Sequence, residues 1–451
     1  MRIKLSEIYY FFKTEFNKSF ETDVTGVSID SRTINPGDIF FAIEGENFDG
    51  HTFVNKALEA KAVAAVCSKK GDYSDDKVIY VENTLKALQD LARYYRFSLN
   101  IPFVSVTGSN GKTTTKEYIN AALSSSFKPG CTKGNLNNQT GVPLTIFSVD
   151  EDSKAAVIEM GMNNKGEIND LASIVIPHIA VITNIGTSHI GRLGSRENIY
   201  KAKTEVLDYI NNGYLVVNSD DDMLSSLVSN DKYTVIRTGI KADNLDYAAK
   251  NIVLNEDNTY SFTVRDTRIK LSIPGIHNVN NALLAFAVAD ILKADRNKAG
   301  KAIGSCVNQK MRTQISDING YIVINDAYNA NYDSMRASID ILKKYRNRRV
   351  AVLGDMLELG EYEKALHEKT GEYLAESGID ILIAVGKNAV NYKTGALNHG
   401  MSENSIFVFN DLTEAKMLIK DIICKGDTIL VKGSRGSSME KIIGVFEGDE
   451  V

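Results

Sequence analysis

The chain has no tryptophan, only four cysteines, and no apolar run of the roughly 18 residues that a membrane-spanning helix needs. The missing tryptophan carries no functional information. Cys67, Cys131, Cys306 and Cys424 are far apart and form no CxxC pair. Free thiols in a reducing cytosol are therefore expected, with neither a disulfide framework nor a zinc site. The first residues, MRIKLSEIYYFFKTEF, mix charges into their apolar positions, so no signal-peptide core is expected and the cytoplasm is the expected location. Long blocks of like charge are absent too: 57 acidic against 52 basic side chains give a formal charge of -5. A nucleic-acid partner would call for a concentrated basic patch, so none is expected. Any anionic ligand must be held by local features rather than by a global field.

What is present is alternation. Short β-branched runs take turns with helical patterns, the habit of α/β domains built on parallel sheets. A chain of 451 residues is too long for one core, and the punctuation divides it into 1–98, 99–313 and 314–451. The first part contains the strand-like segments 62–68 and 77–82 and an amphipathic helix from Thr84 to Phe97. The second reads as strand, glycine turn and helix from Phe103, followed by buried strands at 155–161 and 179–186 and an alanine-rich helix within 274–294. The third carries strands at 321–326, 349–355, 380–386 and 428–434. It predicts a Rossmann-like open sheet, with ligands beyond the strand ends where Asp326, Asp355, Ser434 and Arg435 fall.

The most specific local signal is Thr107-Gly108-Ser109-Asn110-Gly111-Lys112-Thr113-Thr114. Glycines let the backbone approach an anion closely, and helix-start N–H groups point at it. Lys112 would neutralise β/γ oxygens and the Thr113 hydroxyl would ligate magnesium. The common form of this loop needs glycine at position 106, where this chain has valine. A plain glycine turn with a chance lysine is the competing reading, and the flanking buried strand and helix argue against it. Glu159 and His189 follow strands that would share an edge with the loop, within reach of a metal held by a triphosphate. On their own, a solvated glutamate and a structural histidine are the plainer readings. Lys201 and Lys203 point to different faces of a helix, and Glu197 precedes Lys201 by four residues, so a surface role is the plain reading for both.

Six blocks stand in an order and spacing that resemble the Mur ligase family: VTGSNGKTTT (106–115), KGNLNNQTGVPLT (133–145), EMGM (159–162), ITNIGTSHI (182–190), PGIHNVNNALLA (274–285) and VKGSRGSSMEKII (431–443). The shortened phosphate loop is the family's own form. Two further blocks, NDAYNANYDSM (325–335) and VLGDMLELGEYEKALHEKTG (352–371), resemble the branch that adds a D-alanyl-D-alanine dipeptide. The Asp-Asn-Pro-Arg tetrapeptide of the branch adding the third amino acid is absent, and Tyr332 stands where the dipeptide branch usually has proline.

The resemblance implies an α/β, three-domain architecture. It consists of a UDP-sugar domain, a central P-loop ATPase domain on a parallel sheet, and a Rossmann-like domain receiving the dipeptide. It implies ATP and Mg2+ as cofactors and an acyl-phosphate route joining D-alanyl-D-alanine to UDP-N-acetylmuramoyl-tripeptide for peptidoglycan synthesis. ATP contacts are implied for residues 107–114, Asn281, Arg312 and Asp326, and metal contacts for Thr113, Glu159, His189 and a carbamylated Lys203. Lys112, His189, Lys203 and Arg312 carry the implied catalytic roles. Substrate contacts are implied for Ser31, Arg32, Asp49, His51, Asn137, Asn138 and Thr140, and for Asn329, Asn331, Asp333 and Ser334. Small-molecule partners, no membrane span and a monomer complete the expectation. The alternatives are another acyl-phosphate ligase of the Mur or folylpolyglutamate-synthase type, or a nucleotide-hydrolysing switch. The missing guanine-reading Asn-Lys-x-Asp and the nucleotide-sugar-like first block speak against the alternatives.

Overall fold

A computed structural model describes residues 1–14, 21–45, 47–73, 75–307 and 309–448. Phe103–Thr107 is β-branched or aromatic at every position but Ser105 and buried throughout, as a strand covered on both faces must be. It lies inside a seven-stranded sheet whose order is Tyr247–Ala248, Tyr233–Gly239, Gly213–Asn218, Ile179–Ile182, Phe103–Thr107, Ala155–Glu159, Pro129–Cys131. Every pairing is parallel. From Phe103–Thr107 the chain runs to one edge, returns to Ala155–Glu159, then crosses to Ile179–Ile182 on the other side. The strand before the phosphate loop is thus the switch point, where open α/β sheets place their ligands. Register fixes the neighbours: Thr107 pairs with Ile182 and Val106 with Glu159.

The segment 26–80 forms a four-stranded parallel sheet, Gly26–Ser28, Asp38–Phe41, Ala64–Cys67 and Val78–Tyr80. Helix Thr84–Ser98 then ends against the central sheet. There the buried Arg96 donates to Val175 O and Ile176 O, both at 2.8 Å, and its guanidinium lies 4.5 Å from the Phe103 ring centre. Between 250 and 270 an antiparallel three-stranded sheet, not anticipated from sequence, precedes helix His277–Ile291. That helix is buried on nearly every face and shares a core with Lys112–Ser124. Its alanines let the two backbones come close.

The third sheet has six strands in the order Gln314–Ile318, Tyr321–Asp326, Thr428–Lys432, Arg349–Gly354, Ile381–Val385, Ile406–Phe409. All pairs are parallel except the first, where Gln314–Ile318 adds an antiparallel edge. The four cysteines are free thiols, and among the described residues no helix is long and apolar enough to cross a membrane.

Candidate active site

The phosphate loop is built by two glycines that no other residue replaces cheaply. Gly108 has φ +146° and Gly111 φ +79°, conformations L side chains rarely adopt. A Cβ on Gly108 would fall 1.8 Å from Thr183 Oγ1, and one on Gly111 would fall 2.6 Å from Asn281 Oδ1. Helix Lys112–Ser124 starts at once, turning its first N–H groups toward the cleft. The segment 183–188 braces the loop from the adjacent strand. Asn110 N donates to Asn184 Oδ1 at 3.0 Å, Thr183 Oγ1 to Asn110 O at 2.5 Å, and Gly186 N to Ser109 Oγ at 2.9 Å. Lys112 Nζ donates to Gly108 O at 2.7 Å. Burial holds its pKa below the ordinary amine range; Glu159 opposes that shift and Arg312 adds to it.

Glu159 is 2% exposed. Its Oε1 accepts from Asn137 Nδ2 at 2.8 Å and from Thr113 Oγ1 at 3.3 Å, while Oε2 is buried with no hydrogen-bond partner. A buried carboxylate oxygen without a donor is costly, and beside a loop shaped for phosphates a divalent cation would satisfy it. Among the described residues neither Glu159 nor His189 belongs to a close cluster of three His, Cys, Asp or Glu side chains. Magnesium takes one or two protein oxygens and completes its shell with phosphates and water, and Glu159 and Thr113 offer such oxygens side by side. The residues present therefore fit the implied ion.

His189 begins the short helix Ile190–Leu193 with φ +62°. Its Nδ1 shares a 2.6 Å hydrogen bond with Glu358 Oε2, which leaves Nε2 as the free ring nitrogen. Burial lowers the pKa of the ring, Glu358 works against that, and the charges of Lys112 and Lys203 reinforce it. Lys203 does not line the cleft. It is 1% exposed on helix Arg196–Thr204, while Lys201 on the same helix is exposed. Burial pushes the Lys203 pKa well below the ordinary amine range, and Lys112 pushes the same way.

From the third part, Asp326 ends strand Tyr321–Asp326 and is saturated. Lys432 Nζ donates to its Oδ2 at 2.5 Å, Ser338 Oγ to Oδ2 at 2.6 Å and Thr313 N to Oδ1 at 2.8 Å. Burial alone would raise this carboxyl's pKa, but Lys432 and the hydrogen bonds bring it below the usual range. Removing one partner of such a pair strands a buried charge, so Lys432→Met should cost about 3–5 kcal/mol, read as a lower urea midpoint. An unchanged midpoint would show the pair to be energetically idle. Because the folded pKa of Asp326 is the lower one, its contribution is present above pH ~4 and fades as pH falls through the folded value.

Arg312 lies with its guanidinium carbon 3.9 Å from the Tyr328 ring centre. Asn281 is held inside the helix start, accepting from Thr115 Oγ1 at 3.2 Å and donating to Asn278 Oδ1 at 3.0 Å. Asn331 caps helix Tyr332–Leu342 in a reciprocal box with Ser334. Tyr332 occupies the first helical position, where proline is common because the N–H has no intrahelical partner. The cap forms without proline, and Arg336 and Lys369 lie against the Tyr332 ring. Asn331 and Asp333, expected on the substrate side, have their side chains committed to the central part. Asn331 pairs with Asn110 and Ser188, and Asp333 Oδ2 accepts from Thr187 N at 2.7 Å and Thr187 Oγ1 at 2.8 Å. Asn329 lines the cleft and accepts from Ala330 N through Oδ1.

The resulting cleft, about 680 Å³, lies between the second and third parts; Lys112, Glu159, His189, Arg312 and Asp326 meet on its walls. Asn137 and Asn138 line it as well. Asn138 Oδ1 accepts from Gly141 N at 2.8 Å and from Thr140 Oγ1 at 3.2 Å, fixing the turn into the next helix. Ser31, Arg32, Asp49 and His51 stand apart from it. Arg32 forks onto Asp30, and His51 is buried with both ring nitrogens engaged, Nδ1 with Asp49 at 2.6 Å and Nε2 by Ser68 N at 3.0 Å. His51 therefore shapes this turn and has no ring nitrogen left for a ligand. Sequence reasoning passed over Glu358, Asn184 and Thr187. Their only signal was position inside motif blocks, because each acts on a residue distant in the chain.

Three family models match in succession: "Mur ligase family, catalytic domain" over 23–96, "Mur ligase middle domain" over 106–289 and "Mur ligase, glutamate ligase domain" over 311–435. UDP-N-acetylmuramoyl-tripeptide--D-alanyl-D-alanine ligase of Bacillus subtilis is 36% identical over 431 residues, 94% of this chain and 93% of that one. A crystal structure of MurF from Acinetobacter baumannii superposes with a TM-score of 0.91 at 29% identity, covering 100% and 99% of the two chains. MurF ligase from Thermotoga maritima in complex with ADP gives 0.82 at 27% identity, covering 96% and 99%.

Proposed function

Because the chain belongs to the Mur ligase family, we propose that it is an ATP-dependent ligase joining D-alanyl-D-alanine to UDP-N-acetylmuramoyl-tripeptide, giving the pentapeptide used in peptidoglycan synthesis. The observation that carries this reading is the shared cleft, where a phosphate loop faces Arg312 and Asp326. The likeness to ligases so named, over nearly the whole chain, supplies the substrates.

A carboxylate is a poor electrophile because amine attack would have to expel oxide. The peptide carboxylate oxygen therefore takes the γ-phosphoryl group and ADP leaves. The dipeptide amine attacks the resulting acyl phosphate, and the tetrahedral adduct collapses to an amide as phosphate departs and a proton is lost. Lys112 and the helix start hold the phosphates and Arg312 neutralises charge building on them, so the protein mainly positions and stabilises. Thr113, Glu159 and His189 would hold magnesium, which when bound screens the phosphate oxygens from the attacking carboxylate. Ser31, Arg32 and Asp49 are read as the nucleotide-sugar side, and Asn137, Asn138 and Thr140 as the path of the peptide. Asn281 is read as the contact for the adenine, and Asn329 and Ser334 as contacts for the dipeptide.

Purified protein given UDP-N-acetylmuramoyl-tripeptide, ATP and magnesium should release phosphate only when D-alanyl-D-alanine is added. Release independent of the dipeptide sinks the assignment. We further place the chain in the cytoplasm as a monomer. Light scattering should return the mass of one chain, 49.6 kDa, and a dimer mass overturns that point.

A further inference from the structure

The third part is docked onto the central part through the nucleotide loops themselves. Asn331, 6% exposed, uses every hydrogen-bonding position of its amide. Its Oδ1 accepts from Ser334 N at 2.9 Å and Asn110 Nδ2 at 3.2 Å, and its Nδ2 donates to Asn110 Oδ1 at 2.8 Å and Ser188 Oγ at 2.6 Å. A carboxamide has two donors and two lone pairs, so nothing remains for a dipeptide. Asp333 closes on the next loop over, with both of its contacts on Thr187, and Gly186 packs so tightly that a Cβ there would sit 2.4 Å from Asp333 Oδ2. A third point of docking lies farther along. Glu358 binds His189 and, at 3.3 Å, Arg192, and a Cβ on Gly191 would meet Gly360 N at 2.4 Å.

We propose that Asn331 and Asp333 are positioning residues, a latch fastening the C-terminal domain onto the phosphate loop and the 183–189 segment, rather than ligands of the incoming dipeptide. The Asn331–Asn110 amide pair reaches directly into the loop that would hold ATP. Docking of the third domain and the geometry of the phosphate site are therefore one event, a coupling that rests on the ligase reading above. Helix Tyr332–Leu342 is capped by the same Asn331, so the latch is rigid on its own side and yields only by separation of the domains.

The test uses Asn331→Asp, which keeps a good N-cap but loses both donations from Nδ2, and Asp333→Asn as an independent variant. Small-angle scattering of the full chain, with a non-hydrolysable ATP analogue and magnesium, reads compaction without turnover. Both variants should show a larger radius of gyration than the parent. In the ligase assay kcat should fall by about 100-fold, with the dipeptide KM changed less than about threefold. Asn110→Ala combined with Asn331→Asp should lose little beyond the single changes, as contacting partners do. Unchanged compaction, or a dipeptide KM raised tenfold at near-parental kcat, overturns the latch. Failure of the ligase reading would appear separately, as dipeptide-independent phosphate release by the parent.

Discussion

Lys203→Ala is expected to lower ligase turnover by about 100- to 1000-fold, the range for removing a preorganised electrostatic group, and short carboxylic acids should restore part of it. The argument starts from burial. An ammonium group that is 1% exposed, with the Lys112 charge acting on it, is driven toward the neutral amine. A neutral amine adds carbon dioxide: nitrogen bonds to carbon, a proton leaves, and a cation becomes a carbamate anion. Lys203 lies close enough to Lys112 and His189 for the charges to influence one another, and we propose that the carbamate would extend from behind the cleft wall as an oxygen donor toward the phosphate site. Alanine leaves a small cavity that a short carboxylic acid can enter, returning the two oxygens. Arginine fills the space with a fixed cation, so Lys203→Arg should be inactive and beyond rescue. Steady-state phosphate release with and without added acid makes the measurement, and parental activity in Lys203→Ala would end the proposal.

Lys203 also shows where local sequence stops informing. Its helix carries Arg196, Glu197, Lys201 and Lys203, which reads as a solvated face. Only packing of Ile199, Ala202 and Lys203 against the core decides which lysine is buried. By contrast the phosphate loop was legible because its geometry is written in adjacent residues: a buried strand, two glycines in conformations that L side chains rarely adopt, and a helix start. The helix at Thr84, the strand before Glu159 and the Rossmann-like strands were legible for the same reason. The three-stranded sheet at 250–270 was not. Lys250–Leu254 is mostly exposed and mixes charge with apolar residues, so it offers no period to read. The antiparallel edge Gln314–Ile318 has the same trouble. The latch lay beyond sequence altogether, because Asn110 and Asn331 are 221 positions apart and neither residue type announces the other.

Gly108→Ala is expected to abolish nucleotide binding, with ATP affinity falling at least about 100-fold, while the fold persists. Two separate costs combine. At φ +146° an alanine is strained whatever space it has, and its Cβ would lie 1.8 Å from Thr183 Oγ1. Thr183 cannot simply turn aside, since its hydroxyl donates to Asn110 O at 2.5 Å and its N–H to Thr107 O at 3.0 Å. Relief of the overlap therefore moves either the loop or the strand end that braces it, and each change misplaces the N–H groups meant for phosphate. The two costs can be told apart. Adding Thr183→Gly removes the colliding side chain but leaves the backbone strain, so the double variant should recover only part of the lost affinity. Full recovery would assign the whole effect to the clash. Near-parental ATP affinity in Gly108→Ala, measured by calorimetry, would mean that this loop does not hold the triphosphate.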